Sequence, residues 1–467
     1  MIKKLIVLLL AFMLAFACMA CDGNFDSVSS SSSSGSSNDS SGGSGNTDLP
    51  EVITNKTYRS YWMKQFDYKT MPIAAFNGAP LKFSDYTVSM ITDDAHFKAI
   101  KQAGINTVYG LYERAEYYVD EVKTALSLCE KYDLSYVAIG NGLGSFTDLS
   151  LAETSLYNSL LKENPSALGG VIVKDEPNQK EFSKIAKSKD ILRQLFGKKI
   201  LYHSNLIPNY ATNAQLYGSD NLPADYSYEN YVENYCKTYN PQILSYDFYP
   251  IHTTYISPGY FENMSVIRKY AQKYEIPFWT YIQSSSFRSN IKVPDKNEIF
   301  WLVNTSLAYG AKGLQYFTYV DPISSGGEVF TGSPIDKNGN KTATYDYISE
   351  VNKFVGEIDE VLMCCFSKGI MIAGSTPCAI PAADVLTEYG ALKQADGDSV
   401  IVGCFDYKGK DAFYLINNSL TEQSDAILTF NGNVTASVVK TTGKTDFSGQ
   451  SYSTGLSAGE GVLIVLN

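Results

Sequence analysis

Two adjacent acids, Asp175 and Glu176, follow an apolar segment in the stretch GGVIVKDEPN (169–178). The apolar residues before them predict a buried strand, and Pro177 ends it because proline cannot donate a ladder hydrogen bond. A carboxyl group at the end of such a strand can give a proton to a leaving group or take one from water. Asp175 has a second interpretation, since acids also favour the first turn of a following helix, where they act as N-terminal caps.

Other segments of the chain also pass from apolar residues to side chains that can bind or react. Asp247 ends the sixth segment and is the candidate for a second catalytic carboxylate. Amides, carboxylates and aromatic rings together suit an uncharged polyhydroxylated ligand, because flat rings can cover the faces of a sugar. Each tyrosine could instead pack in the core, and His203 could be a structural histidine. The candidate ligand-binding residues are Asn77, Tyr112, Glu113, Asp175, His203, Asn205, Tyr249, Tyr281, Gln283, Gln315 and Tyr319.

The elements that carry these residues have to bring them together. From about residue 70 to about residue 360, eight short apolar segments alternate with amphipathic helical segments. This alternation predicts an α/β fold with a parallel sheet, and eight such units predict a (β/α)8 TIM barrel. The carboxyl ends of the strands meet at one mouth of such a barrel, where catalytic residues lie. We therefore expect one shared site in a catalytic domain spanning residues 51–384.

The last part of the chain, residues 385–467, has a different pattern. Short strand-like segments such as SVIVGCFDY and GVLIVLN are separated by Gly, Asn and Asp turns. This pattern predicts a small C-terminal β-sandwich packed on the barrel. We expect a structural role for this domain, with carbohydrate binding as the less favoured alternative.

The N-terminus predicts export and a lipid anchor. Two lysines, an apolar run and a small-residue segment ending at Cys21 are typical of a lipoprotein signal peptide over residues 1–21. Cys21 is the favoured lipidation site, with Cys18 and an ordinary cleaved signal as alternatives. Residues 22–50 form a Ser/Gly-rich linker that cannot bury a core. The prediction is a protein at the cell surface or in the periplasm, attached to the membrane through its lipid only.

Composition narrows the class of ligand. The formal net charge of −11 disfavours nucleic acid and anionic lipid surfaces as partners. The sequence has no Gly-rich phosphate loop and no metal-ligand spacing, so we expect neither a cofactor nor a metal. The cysteines beyond the signal could form disulfides in an exported protein or stay as buried thiols. We expect a monomer that binds carbohydrate.

Three short motifs resemble those of known carbohydrate-active enzymes. GGVIVKDEPN at the fourth strand resembles the Asn/Asp-Glu-Pro signature of clan A glycoside hydrolases. ILSYDFYP and GAKGLQYFTY are similar to segments of bacterial exported β-galactosidase-like hydrolases that carry a C-terminal β-sandwich. The resemblance implies that Glu176 is the general acid/base and that Asp175 replaces the asparagine that contacts the sugar beside the cleaved bond. It predicts an exported hydrolase of O-glycosidic bonds in an oligo- or polysaccharide.

The sequence departs from this family at the seventh strand. Clan A enzymes carry a nucleophilic glutamate there, whereas PFWTYIQSSS places Gln283 at the corresponding position, and an amide cannot replace a carboxylate nucleophile. Asp247 is the favoured second carboxylate, acting as a base or as a nucleophile, and Glu113 is an alternative. A further alternative is a surface glycan-binding lipoprotein that has lost hydrolysis.

Overall fold

The computed structural model describes residues 70–79, 93–111, 118–140, 142–163, 165–322 and 328–467. The predicted signal peptide, the lipidation site Cys21 and the Ser/Gly linker lie outside these residues, as do Tyr112 and Glu113. Among the described residues, no helix combines the length and apolar character needed to cross a membrane.

The predicted barrel is confirmed. Eight parallel strands close on themselves in sequence order, because the first strand pairs with both the second and the eighth. Most strand residues are buried, as expected when helices cover a parallel barrel and side chains fill it. The strands are β1 (Ile73–Ala79), β2 (Thr107–Leu111), β3 (Ser135–Ile139), β4 (Leu168–Asp175), β5 (Leu201–Leu206), β6 (Leu244–Tyr246), β7 (Phe278–Gln283) and β8 (Leu314–Phe317).

Helices follow the strands and cover the outside of the barrel. Several begin at polar caps: the Asp93 carboxylate, for example, accepts from the His96 N–H at the start of the first helix. The helices are α1 (Asp94–Gln102), α2 (Val119–Lys131), α3 (Leu149–Glu153), α4 (Leu156–Glu163), α5 (Phe182–Phe196), α6 (Asn213–Tyr217), α7 (Tyr228–Tyr239), α8 (Tyr260–Lys273), α9 (Lys296–Tyr309) and α10 (Ala343–Leu362).

The predicted C-terminal β-sandwich is also confirmed. Its strands form an antiparallel sheet in which the long β13 pairs with β10 near its start and with β15 near its end. This arrangement lets parts of the sheet enclose a second hydrophobic core. The strands are β9 (Cys365–Gly374), β10 (Leu392–Gly397), β11 (Ser399–Tyr407), β12 (Lys410–Asn417), β13 (Ser424–Lys440), β14 (Gly443–Leu456) and β15 (Gly461–Leu466).

The boundary between the two domains lies earlier than the sequence placed it. β9 pairs antiparallel with β11 along its whole length, although its residues fall within the range 51–384 assigned to the barrel. The barrel therefore ends with α10, and the sandwich begins at Cys365. The pairing of β9 with a strand about thirty residues later is a long-range contact, which local patterning does not reveal.

The sandwich packs on the barrel through α9, which is buried along nearly its whole length. The Trp301 indole donates to the Asn418 side chain at 2.7 Å, and the Tyr414 hydroxyl donates to Asn304 at 2.7 Å. A buried ion pair at 2.7 Å joins Arg268 of α8 to Asp384, beside β9. The six cysteines of the described residues are free thiols, so disulfides do not stabilise these parts of the two domains.

Candidate active site

Glu176 directly follows β4 at the carboxyl-terminal mouth of the barrel, where the sequence placed it. Its backbone has φ 45°, in the left-handed region that non-glycine residues seldom adopt. Two contacts hold it: the Glu176 N–H donates to the Asn205 carbonyl at 3.0 Å, and the next carbonyl, of Pro177, accepts from the Tyr231 hydroxyl at 2.7 Å. Tyr231 also accepts from the Ile207 N–H at 3.2 Å, so α7 ties the end of β4 to the end of β5.

Asp247 directly follows β6 and is 6% exposed. Within the described part of the chain, its Oδ1 atom is buried and has no hydrogen-bond partner. The side chains of Asn205 and Tyr249 act on the carboxyl group as hydrogen-bond donors. Asn205 thus lies on the strand between the two candidate acids: its carbonyl accepts from the backbone N–H of Glu176, and its side chain lowers the pKa of Asp247.

Burial and neighbouring negative charges raise the proton affinity of both carboxyl groups. Burial is the largest cause that raises the pKa of Glu176 well above its ordinary value, and the charges of Asp247, Asp175 and Glu328 add to it. Burial also raises the pKa of Asp247 to about 8, with a further rise from the charge of Asp175. The raised pKa of Glu176 suits an acid, and Asp247 can act as a base in the fraction of molecules in which it is ionised, which grows as the pH rises through about 8.

Glu328 is a further carboxylate at this site, beside Glu176, Asp247 and Asp175, and sequence reasoning missed it. It lies beyond β8, is 7% exposed, and interacts electrostatically with Glu176. Burial raises the pKa of Glu328, while the positive charge of Arg288, 3.7 Å away, opposes the rise. In the sequence, Glu328 falls in the stretch PISSGGEVF, which shows neither apolar periodicity nor a motif. Only the folded chain brings it to the mouth.

Aromatic residues form the floor beneath the acids. A hydrophobic cluster includes Phe76, Tyr109, Tyr249, Tyr281 and Phe287, with Phe317 packed against it. The ring centres of Tyr249 and Phe317 are 4.9 Å apart. Burial is the largest cause that raises the pKa of Tyr281, and the charges of Asp175, Asp247 and Glu176 contribute. Tyr249 and Tyr281 therefore lie beside the acids, although both rings are largely buried.

Asp175 stands at the mouth with an exposed side chain, next to Glu176. Its interpretation as a helix cap is wrong, because Asn178 caps the helical turn Gln179–Glu181 through a capping box with Glu181. Asp175 therefore remains a candidate for contact with a ligand.

Two predicted binding residues, Gln283 and Tyr319, are completely buried. The Gln283 side chain is completely buried: it accepts from the Ile251 N–H and donates to the carbonyls of Ile251 and Lys292. Its amide holds together the loops after β6 and β7. Tyr319 packs against the His96 ring of α1, in the core between strands and helices. Neither side chain is available to a ligand at the mouth, so these two assignments are wrong.

Four other predicted binding residues are buried within the barrel. His203 is completely buried between the rings of Tyr109 and Trp279, and burial lowers its pKa to about 3, so the ring is neutral. Gln315 is also completely buried, and the Asn77 amide donates to the Val320 carbonyl at 3.0 Å. Asn205 contacts Asp247 but is itself buried. The predicted direct contact with substrate is therefore corrected for His203 and Gln315, which are completely buried, and for Asn77, whose amide is bound by backbone. For Asn205 it stays a prediction.

Comparison with known proteins identifies a fold but no family. No protein-family model matches the chain. No curated protein matches its sequence either. The chain is similar in structure to a β-galactosidase from Bacillus circulans sp. alkalophilus, with a TM-score of 0.52 and 8% identity over 86% of this chain and 99% of that one. At this identity the likeness shows a shared fold.

A weaker likeness is found to a maltogenic α-amylase from Thermotoga neapolitana, with a TM-score of 0.44, 10% identity and coverage of 85% of this chain and 98% of that one. An endo-β-1,4-mannanase from Thermotoga petrophila has a TM-score of 0.38 and 9% identity, covering 82% of this chain and 97% of that one. These structural neighbours are glycoside hydrolases.

Proposed function

We propose that the protein is a glycoside hydrolase that cleaves O-glycosidic bonds in an oligo- or polysaccharide, with Glu176 as the general acid. The observation that carries this proposal is the pair formed by Glu176 and Asp247, linked through Asn205 on the strand between them. The shared fold with a β-galactosidase supports it as an analogy only.

The raised pKa of Glu176 suits the acid, because a general acid must hold its proton near neutral pH. In the proposed reaction Glu176 donates its proton to the glycosidic oxygen as the bond to the anomeric carbon breaks. Asp247 in its ionised form, which predominates above about pH 8, accepts a proton from the water that attacks this carbon from the opposite face. The products are the free alcohol and a sugar with a new hydroxyl group, and the two carboxyl groups exchange protonation states.

We propose inversion of the anomeric carbon, because Gln283 closes the double-displacement route through a nucleophile on β7 and because aspartate has a shorter reach than glutamate. Carboxyl groups about 6.5–9.5 Å apart leave room for a water molecule, whereas a retaining pair stands about 5 Å apart. We therefore propose Asp247 as a base and not as a nucleophile.

A second candidate function is glycan binding without hydrolysis. The observation that favours it is Gln283, which stands where the resemblance expects a nucleophilic glutamate and whose amide is bound by backbone groups.

Export and attachment through a lipid on Cys21 complete the proposal. They would place the barrel outside the cytoplasmic membrane on a flexible tether, within reach of extracellular glycans.

The test is hydrolysis of a panel of oligo- and polysaccharides by the wild type and by Glu176→Gln. The variant removes the transferable proton and keeps the shape, so activity should fall by about 10²- to 10⁴-fold. Glu153→Gln, at an exposed position on α3, is the matched control and should retain full activity. Asp247→Asn and Glu328→Gln then identify the second carboxylate. Binding of a glycan with no release of sugar would favour the second candidate function.

A further inference from the structure

Two tyrosines at the mouth of the barrel have exposed rings. Tyr210 is 38% exposed and Tyr255 is 52% exposed, and no other aromatic side chain among the residues that the structure describes is as exposed. Tyr210 lies between β5 and α6, and Tyr255 lies between β6 and α8. Because β5 and β6 are neighbouring strands, both tyrosines lie on adjacent loops at the end of the barrel that carries Glu176 and Asp247.

Ring and backbone contacts hold Tyr255 in place. The rings of Tyr255 and His252 are stacked, with their centres 4.2 Å apart and 9° between their planes. The His252 N–H donates to the Tyr255 carbonyl at 3.0 Å, which closes a tight turn. Because His252 covers one face of the Tyr255 ring, the opposite face and the edge of the ring carry its exposed surface.

The loop that carries Tyr255 is fixed to the loop after β7. The Thr253 N–H donates to the Asn290 carbonyl at 3.0 Å. The buried Gln283 side chain binds the N–H and the carbonyl of Ile251, at the base of the same loop. A ligand that stacks on Tyr255 therefore has little ordering of the protein to offset, since the ring is already positioned.

Tyr210 is anchored on the same loop from the neighbouring one. The ring centres of Tyr210 and Phe248 are 5.2 Å apart with 66° between their planes, so the rings meet edge to face. Phe248 is buried, packs against the Tyr260 ring at 6.0 Å, and directly follows Asp247 in the sequence. The exposed ring of Tyr210 is thus held by the residue next to the proposed base.

The surroundings of both rings suit an uncharged ligand. Charged residues make up 19% of the chain, yet the segments 207–213 and 248–260, which carry the two tyrosines, contain none. Their polar residues are Asn, Ser, Thr, His and Tyr, whose side chains can exchange hydrogen bonds with hydroxyl groups. Single-stranded nucleic acid also stacks on aromatic rings, but it needs a positively charged groove, which these segments lack.

We propose that Tyr210 and Tyr255 bind a glycan chain by stacking on successive sugar units beyond those at the acids, so that the protein prefers long oligosaccharides to disaccharides. This inference deepens the proposed function and rests on its choice of a carbohydrate ligand. The flat ring covers the CH groups of a sugar face, and the hydroxyl tip tolerates water. His252 follows Asp247 by five residues and lies at most about 18 Å from it, which a short oligosaccharide can span.

The experiment measures glycan binding to the full chain carrying Glu176→Gln, which should not cleave its ligand. Affinity gel electrophoresis with galactan, galactomannan, xylan and mixed-linkage β-glucan selects the polymer that binds. A disaccharide and a hexasaccharide cut from that polymer are then titrated by calorimetry. Adding Tyr210→Ala or Tyr255→Ala should raise the Kd of the hexasaccharide by about 3- to 10-fold and leave that of the disaccharide unchanged.

Two further variants show whether the ring face is responsible. Tyr255→Phe keeps the ring and should bind the hexasaccharide nearly as well as the parent. Tyr347→Ala, at a half-exposed position on α10, is the matched control and should leave binding unchanged. The stacking role would be overturned by an unchanged hexasaccharide Kd in both alanine variants, by equal weakening of the disaccharide, or by a parent that binds none of the four polymers.

A kinetic measurement separates this inference from the proposed function. If the otherwise wild-type chain hydrolyses the hexasaccharide, each alanine variant should raise KM and leave kcat nearly unchanged, because the rings contact sugar away from the cleaved bond. Hydrolysis with an unchanged KM in both variants would reject the inference and leave the function standing. Binding that depends on the two tyrosines, with no release of sugar by the wild type, would reject hydrolysis and leave the inference standing.

Discussion

Replacing Asp247 with asparagine is expected to stabilise the folded protein at neutral pH. In the unfolded chain the carboxyl group has its ordinary pKa of 3.8, whereas burial raises the pKa to about 8 in the folded protein. The folded state therefore binds the proton more tightly. The resulting penalty on stability is absent below about pH 4, grows as the pH rises through this window, and is complete above about pH 8. Asparagine does not ionise and so carries no such penalty.

The size of the effect follows from the same two values. At pH 7 the unfolded carboxyl group is ionised, and ionisation favours the unfolded state by about 1.4 kcal/mol for each pH unit above its pKa. The folded carboxyl group is still mostly protonated at this pH. The substitution should therefore recover at most about 4 kcal/mol at pH 7. For a cooperative unit of roughly 400 residues, this corresponds to a rise in melting temperature of about 5 °C.

The assay is thermal or denaturant unfolding of wild type and Asp247→Asn at pH values from 4 to 8. The difference between them should be small at pH 4 and should grow toward pH 8. Asp190→Asn, on the exposed side of α5, is the control and should show no pH-dependent gain. A difference that is the same at pH 4 and pH 7, or a loss of stability at pH 7, would refute the argument that Asp247 is a buried, destabilising carboxyl group.

Three further outcomes are expected. Proton NMR of the first-formed sugar should show the inverted anomer, because Gln283 leaves no carboxylate nucleophile on β7. Initial release of the retained anomer would reject the role of Asp247 as a base. Arg268→Met should lower the free energy of unfolding by about 3–5 kcal/mol, because it leaves Asp384 buried without its partner. Lys269→Met removes an exposed ion pair and should lower the same free energy by less than about 1 kcal/mol. Cys21→Ser should release the exported protein from membranes, and its retention in the membrane fraction would contradict lipidation at that residue.

The amino-acid sequence by itself determined the architecture and the position of the main acids. Eight apolar segments alternating with amphipathic helices predict a parallel barrel because each segment has to be covered by helices. Glu176 and Asp247 could be placed at its mouth because the carboxyl ends of parallel strands share one edge. The short strand-like segments of the C-terminal region, separated by Gly, Asn and Asp turns, likewise predicted a β-sandwich. These inferences depend on local periodicity, which the sequence displays directly.

The tertiary structure decided which side chains face the mouth and how they ionise. Gln283 ends β7 and Tyr319 follows β8, much as Asp247 follows β6. The Gln283 side chain nevertheless binds the backbone of a loop, and Tyr319 packs against His96 of α1. Contacts with distant residues set the direction of the chain beyond the end of a strand. Glu328 reaches the site from a segment without any pattern. The raised pKa of Asp247 depends on burial and on neighbouring charges from other strands. Such properties arise from long-range packing, which spacing along the chain does not encode.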